Sequence, residues 1–462
     1  MKTILITGDR SGSGKTSITL ALAALLAKDR TVQTFKVGMD YIDPSYLSAA
    51  SGRPCRNLDS FAMDADIIRR IFDHGCRGAD IAIIEGVRGL FEGAEALGDT
   101  GSTASIAKTL DVPVVLVVSA RSITRSAAAI VNGFQAFDPE IRIAGVILNN
   151  VKSNSHRDKA VAAIEHYCNV PVIGTIPRME EMELAMRHLG LVPFREGERS
   201  REFRERIDTI TKIIGQHVDL DRFRALMKSF PARKRVSPFF RKKNPDIRIG
   251  VALDEAFNFY YADLFDILPS LGAEVVLFSP IHDRLPDADG FIIGGGYPEL
   301  FLPELEGNDG MKAAIREISG NRVPLYAECG GLMYLTDRIR IEKDRTGAAV
   351  SRSAEMCGIF SGEARIPARR VISYVEGTSA AASPFGAAKF RGHEFHYSDV
   401  ILDKATKYAY RLSRGTGIRD NRDGAIVKNT LGSYTHLHPV PGWQMFSHFV
   451  ALCRKQAGKD RA

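Results

Sequence analysis

Two short stretches carry residue types that do chemistry. The first is Gly8–Asp9–Arg10–Ser11–Gly12–Ser13–Gly14–Lys15–Thr16. Glycine-rich backbone ending in Lys-Thr is the pattern that wraps polyphosphate. Converging N–H groups and a helix start hold the anion, the lysine reaches the terminal phosphates, and the hydroxyl serves Mg²⁺. Gly12, Ser13, Gly14, Lys15 and Thr16 are therefore the expected ATP contacts. Five residues separate Gly8 from Gly14, one more than the usual spacing. The second stretch is Glu328–Cys329–Gly330–Gly331. A cysteine with two glycines behind it, after an apolar run, suits a nucleophile elbow, where small neighbours leave the side chain accessible. The helix start that follows favours a thiolate. Backbone N–H groups of Gly294–Gly295–Gly296 are candidates for a developing oxyanion. The base must come from a distant part of the chain. His436 and His438, in Ser433–Tyr434–Thr435–His436–Leu437–His438–Pro439, are the candidates.

Three acids fall near the first stretch. Asp40 and Asp43 lie in Gly38–Met39–Asp40–Tyr41–Ile42–Asp43–Pro44, and Glu85 follows Ile81–Ala82–Ile83–Ile84 directly. Mg²⁺ on a nucleotide takes one or two carboxylates, with phosphate oxygens and water completing its shell. Gly101–Ser102–Thr103–Ala104–Ser105 reads as a loop entering a helix, either capping it or touching an anionic substrate. Arg391–Gly392–His393–Glu394–Phe395–His396–Tyr397–Ser398 either lines a site or forms one wet strand face, and its histidines lack a metal-binding spacing.

The elements that must position these residues follow from apolar patterning. Ile4–Leu5–Ile6 precedes the phosphate loop, and a helix is expected from Ser17 to about Ala27. Further strands are expected at 32–36, 81–84, 112–118, 145–148 and 172–174. Near-continuous Val/Ile/Leu runs separated by helices indicate a parallel sheet covered on both faces, with ligands outside the carboxyl ends of its strands. Glu198 to Met227 reads as amphipathic helix, and Arg233–Lys234–Arg235 and Arg241–Lys242–Lys243 read as a solvated basic connector. A second α/β pattern starts at Ile247, with strands at 275–278, 290–293 and 323–327. The expected architecture is α/β in two domains, each a mostly parallel sheet flanked by helices. These are a P-loop NTPase-like domain at 1–195, a helical and basic linker at 196–245, and a second α/β domain at 246–462.

Composition narrows the classes. Of 462 residues, 45% are hydrophobic and 25% charged, the balance of an ordinary soluble globular protein. No apolar run is long enough to span a membrane, and the N-terminus passes straight into a strand with no evident signal. Six cysteines without a CxxC pair give neither a disulfide framework nor a zinc knuckle, so a cytoplasmic location is expected. The net charge of +7 suits an acidic substrate or nucleic acid and selects neither.

Taken together, these residues resemble the cobyrinate a,c-diamide synthase family over nearly the whole chain. The first domain is similar to dethiobiotin synthetase, whose phosphate loop also has five residues before the final Gly-Lys-Thr. Phe35–Lys36–Val37–Gly38–Met39–Asp40–Tyr41–Ile42–Asp43–Pro44 and Glu85–Gly86–Val87–Arg88–Gly89–Leu90–Phe91–Glu92–Gly93 resemble the family's substrate and metal loops. Arg187–His188–Leu189–Gly190–Leu191 matches a further family stretch. The second half looks like a class I amidotransferase of the cobyric-acid type, through Asp254–Glu255–Ala256–Phe257–Asn258–Phe259–Tyr260–Tyr261, the glycine run, Glu328–Cys329–Gly330–Gly331 and Arg391–His396. Met39, Leu47, Arg88, Glu92 and Ser119 depart from the family pattern. The Pro-Glu that follows the histidine of ordinary class I triads is replaced by Leu437–His438.

The resemblance implies a magnesium- and ATP-dependent ligase with Cys329 and His436 as a catalytic dyad. It implies Thr16, Asp43 and Glu85 around Mg²⁺, and Asp40, Tyr41 and Glu92 toward the substrate. That substrate would be a tetrapyrrole polycarboxylate, cobyrinate or Ni-sirohydrochlorin, with glutamine as nitrogen donor, in cobalamin or coenzyme F430 biosynthesis. A homodimer is compatible with this reading, and neither membrane nor nucleic acid is an expected partner. The alternatives are an amidoligase for another polycarboxylate, or a DNA-binding partitioning-type P-loop ATPase, with Arg10 near the position of that class's second lysine and the basic linker available to it. The last leaves Cys329 and the glycine run without a role.

Overall fold

A computed structural model describes residues 1–179, 186–187, 190–191, 201–231, 237–343 and 349–458. Of the stretches singled out above, His188, Leu189, residues 196–200 and Arg233–Lys234–Arg235 lie outside the described residues. The chain divides into two compact units, Met1–Arg235 and Val236–Ala462.

The first unit is built on seven parallel strands: β1 (Lys2–Gly8), β2 (Val32–Val37), β3 (Arg56–Leu58), β4 (Ile81–Gly89), β5 (Val114–Ser119), β6 (Ile143–Val151) and β7 (Val172–Pro177). Their order is β3-β2-β4-β1-β5-β6-β7. Ile4, Leu5, Ile6 and the whole run from Val114 to Val118 are buried, as strands covered on both faces must be. The chain builds to one side of β1 as far as β4 and to the other side from β5. The carboxyl end of β1 is therefore a switch point, where α/β sheets bind ligands. Helix α1 (Lys15–Leu26) starts two residues earlier than the apolar pattern indicates, so Lys15 and Thr16 belong to its first turn. Ser102 settles as a helix cap: its hydroxyl accepts the Ser105 N–H at 3.1 Å. Helices Arg201–His217 and Leu220–Leu226 fill much of the segment expected to be a linker. The first of them packs on α1 within this unit and buries Ile210, Ile213 and Ile214. Lys228–Ser229 then adds an antiparallel edge to Lys2–Thr3.

In the second unit, five parallel strands run in the order Ala273–Phe278, Ile247–Ala252, Gly290–Ile293, Leu325–Glu328, Thr430–Ser433. Four antiparallel strands extend the same sheet: Arg422–Val427, Lys407–Arg414, Val371–Ser379 and Ala388–His396. Apart from the strand face considered for 391–398, this extension has no counterpart in the strands read from the sequence, because its residues are polar or charged instead of forming apolar runs. A separate mixed sheet of four strands packs its Ile339, Phe360, Ala364 and Val400 into the core that holds Phe257, Leu332 and Tyr334. The register that matters for chemistry is Glu328 opposite Ser433 in neighbouring parallel strands. It delivers the chain just beyond Ser433 to the turn just beyond Glu328.

Candidate active sites

At the phosphate loop, Gly14 has φ +92°, and a β-carbon there would lie 2.3 Å from the Asn149 amide nitrogen. That amide donates to the Ser13 carbonyl at 2.9 Å and fastens the loop to β6. Thr16 Oγ1 donates to Glu85 Oε1 at 2.7 Å and lies 3.4 Å from Asp43 Oδ2. Lys15 Nζ is 3.7 Å from Glu85 Oε1. Thr16, Asp43 and Glu85 thus meet at one point, with Asp43 in the first turn of α2 (Ile42–Ser51) and Glu85 on β4.

A residue that the sequence reading gave no role stands at their centre. Lys36, on β2 and 1% exposed, places Nζ 2.5 Å from Asp43 Oδ2, 2.8 Å from Glu85 Oε1 and 3.2 Å from the Gly86 carbonyl. Burial opposes its charge, but Asp43 and Glu85 outweigh burial and raise its pKa. Burial would likewise raise Asp43, yet Lys36 and Lys15 hold it below the ordinary carboxylate value. Lys15 is drawn below the usual ammonium value by burial and then by repulsion from Lys36. Asp40 carries the opposite shift. Burial and the neighbouring Asp43 push it up to about 7. Its carboxylate accepts the N–H groups of Ile42 at 2.8 Å and Asp43 at 3.3 Å, so it caps the start of α2. Tyr41 is buried beside it. Glu92 sits on the exposed turn after β4, its carboxylate against Gly89. Arg10 is tied to its neighbour, donating twice to Asp9 Oδ2 at 3.0 and 2.7 Å.

The donor set suits a hard divalent cation: a hydroxyl and two carboxylates, with Glu85 Oε2 buried and lacking a hydrogen-bond partner. Among the described residues no cluster of three or more His, Cys, Asp or Glu side chains holds a metal by itself. The remaining positions of a Mg²⁺ shell would fall to phosphate oxygens and water.

The cysteine site is built on a strained turn. Cys329 has φ +47° and ψ −100°, a conformation unusual outside glycine that persists only where its surroundings enforce it. Its N–H donates to the Ser433 carbonyl at 2.7 Å. The two glycines behind it are sterically required. A β-carbon on Gly331 would lie 2.3 Å from the Ile293 carbonyl oxygen, and one on Gly330 would lie 3.0 Å from the Gly296 backbone. The helix that follows spans only Gly330–Tyr334. In the glycine run, the Gly294 N–H already donates to Tyr260 Oη at 2.6 Å, and the Gly294 carbonyl accepts the Gly331 N–H at 3.1 Å.

His436 is fully buried and hydrogen-bonds Cys329. Its Nδ1 lies 3.1 Å from Glu328 Oε2, and its ring stacks on His393 with centroids 4.9 Å apart. Burial alone would strip its proton. The hydrogen bonds to Cys329 and Glu328 outweigh burial and raise its pKa to about 10. His438 faces elsewhere, with Nε2 3.4 Å from Asp263 Oδ2 and its ring 4.5 Å from that of Tyr261. The polar run 391–398 is not one wet face: residues 391–396 end the strand Ala388–His396, and His393, Glu394, His396 and Ser398 are all buried. His393, accepting or donating at 3.2 Å to Tyr261 Oη, is buried beside His436. His396 is buried against Tyr434 at 3.6 Å, and Glu394 is buried with its oxygens on the Thr416 and Gly417 N–H groups. Arg391 is exposed and pairs with Glu376 at 3.0 Å. Asp254 anchors the 254–261 turn, accepting from Ala256, Phe257, Ser279 and Ile281.

Comparison with known proteins follows the same division. Residues 4–192 match the family described as CobQ/CobB/MinD/ParA nucleotide binding domain. Residues 248–441 match the CobB/CobQ-like glutamine amidotransferase domain. The chain is 50% identical to the cobyrinate a,c-diamide synthase of Methanosarcina acetivorans, over 99% of this chain and 96% of that one. Against the protein of the same name from Methanosarcina barkeri, identity is 49% over 98% and 96%. Against that from Methanothermobacter thermautotrophicus it is 43% over 97% and 98%.

Proposed function

Since the chain belongs to the cobyrinate a,c-diamide synthase family, we propose that it amidates the a and c acetate carboxylates of a tetrapyrrole, using ATP and glutamine. The observation that carries this reading is the hydrogen-bonded Cys329–His436 pair in a chain whose other unit gathers Lys15, Thr16, Asp43 and Glu85 at a phosphate loop.

A carboxylate is a poor electrophile, and ammonia in water is mostly protonated. One site addresses each difficulty. At the first, an acetate oxygen attacks the γ-phosphorus of ATP, giving an acyl phosphate and ADP. Lys15 and the loop N–H groups meet the charge that develops on the phosphoryl oxygens. Thr16, Asp43 and Glu85 would hold Mg²⁺, which when bound neutralises phosphate charge. Lys36 holds Asp43 and Glu85 in place through its hydrogen bonds and keeps Asp43 ionised. Asp40, Tyr41 and Glu92 are assigned to the acceptor side. At the second site, Cys329 Sγ attacks the side-chain carbonyl of glutamine, and N–H groups of Gly295 and Gly296 are assigned to the oxyanion. Protonated His436 gives its proton to the departing ammonia, and water clears the thioester as glutamate. Ammonia then attacks the acyl phosphate carbonyl and phosphate leaves. The sequence of steps repeats for the second carboxylate.

We assign cobyrinate as acceptor, with Ni-sirohydrochlorin as the second candidate because the similar proteins come from Methanosarcina and Methanothermobacter. A cytoplasmic setting accords with six unpaired cysteines, and no helix among the described residues is long and apolar enough to cross a membrane. The test is a mass-spectrometric assay offering both tetrapyrroles side by side with ATP and glutamine. A product in which two carboxyl OH groups have become NH₂ is expected. Glutamine and ATP turnover with neither acceptor amidated would reject the assignment.

A further inference from the structure

We propose that Glu328, the residue directly before the nucleophile, is the acid that orients His436, so that the glutaminase site is a Cys–His–Glu triad whose acid comes from the nucleophile's own strand. The proposal rests on the reading of Cys329 and His436 given above. An imidazole that serves a thiol must present one chosen nitrogen, and the partner of its other nitrogen makes that choice. His436 Nδ1 faces Glu328 Oε2 at 3.1 Å, which leaves Nε2 for the sulfur.

Glu328 is itself held on its second oxygen. Oε1 accepts the Tyr326 hydroxyl at 2.5 Å and the Leu437 N–H at 3.1 Å. Tyr326 lies two residues earlier on the same strand, hence on the same face. Its ring packs edge-on against Phe385 at 4.5 Å. Successive strand side chains point to opposite faces, so Glu328 and Cys329 would normally diverge. The positive φ of Cys329 redirects its side chain and lets both residues reach one imidazole. The position two residues after the histidine, where ordinary class I triads carry their acid, holds His438, which is turned to Asp263. The acid is supplied from the other parallel strand instead, through the register that sets Glu328 opposite Ser433.

The titratable groups facing His436 are Cys329, Glu328 and His393, with His396 close enough to feel its charge; His393 is kept neutral by burial and then by His436 and His438, and His396 chiefly by burial. Of these, Glu328 is the fixed carboxylate that favours the imidazolium. The test compares Glu328→Gln with wild type in glutamine hydrolysis across pH. Expected is a loss of about 10²–10⁴-fold in kcat with KM for glutamine little changed. The alkaline fall in rate should also move from near pH 10 toward the ordinary histidine range. Near-UV circular dichroism and a cooperative thermal transition for each of the two units report whether the variant is folded. If Glu328→Gln does not fold, Tyr326→Phe releases Oε1 while keeping the carboxylate, and a smaller loss with the same direction of pH shift is expected. Unchanged kcat and an unmoved alkaline limb in whichever variant folds would overturn the proposal. Persisting hydrolysis in Cys329→Ala would instead overturn the reading beneath it, whatever Glu328 does.

Discussion

Lys36 Nζ lies 2.8 Å from Glu85 Oε1, the same oxygen that accepts the Thr16 hydroxyl. A fully buried cation on an interior strand is tolerated only because buried Glu85 and partly buried Asp43 pair with it. Removing it by Lys36→Met leaves two neighbouring carboxylates with only Lys15, 3.7 Å from Glu85, to offset them. The expected cost is about 3–5 kcal/mol of stability, together with weakened ATP binding. Chemical denaturation and nucleotide titration check this. A variant as stable as wild type would mean that the carboxylates do not depend on Lys36.

Asp40 gives a pH signature of opposite sign to an ordinary paired acid. Its folded-state pKa of about 7 stands above the usual 3.8, chiefly through burial and then through Asp43. Its contribution to stability is therefore full below pH 3.8 and is lost as pH rises through 7. Asp40→Asn keeps an acceptor for the α2 cap but cannot ionise. Its melting temperature should decline less than that of wild type between pH 4 and 8. Parallel curves for the two proteins would contradict the assignment.

Gly331→Ala forces a β-carbon to 2.3 Å from the Ile293 carbonyl oxygen and 3.0 Å from that of Gly294. Both are backbone atoms, so the elbow must move. A loss of about 1–3 kcal/mol is expected, with glutamine hydrolysis falling much further than ammonium-driven amidation. Equal losses in the two assays would show that the elbow does not set the position of Cys329.

Cys329→Ala separates the two sites chemically. Glutamine hydrolysis should fall by roughly a thousandfold or more, while ammonium at high pH still supports ATP-dependent amidation. Glutamine-driven product formation at the wild-type rate would remove Cys329 from the mechanism.

What the sequence made legible was local. Gly12–Thr16 and Cys329–Gly331 announce themselves because glycine spacing and one reactive side chain fit within a few residues. The parallel strands are visible for the same reason, as unbroken apolar runs. Lys36 escaped because a charge inside an apolar strand reads as a strand residue; the signal was that a solvated lysine does not belong between Phe35 and Val37. Glu328 escaped because its role depends on the pairing of 325–328 with 430–433, more than a hundred residues away. His436 and His438 were not separable by spacing. Burial against Asp263 turns one away, and strand register brings the other to Cys329. The segment 201–226 reads as amphipathic helix, but the partner of the apolar face of Arg201–His217, α1, lies far back in the chain.

The central claim is that a carboxylate activated as acyl phosphate receives nitrogen released at Cys329. It is tested most directly by following oxygen. With cobyrinate carrying ¹⁸O in its carboxylates, ATP and glutamine, the attacking oxygen stays with phosphorus when ammonia displaces phosphate. The account predicts one ¹⁸O in inorganic phosphate for every amide formed. Amide product accompanied by unlabelled phosphate would contradict it.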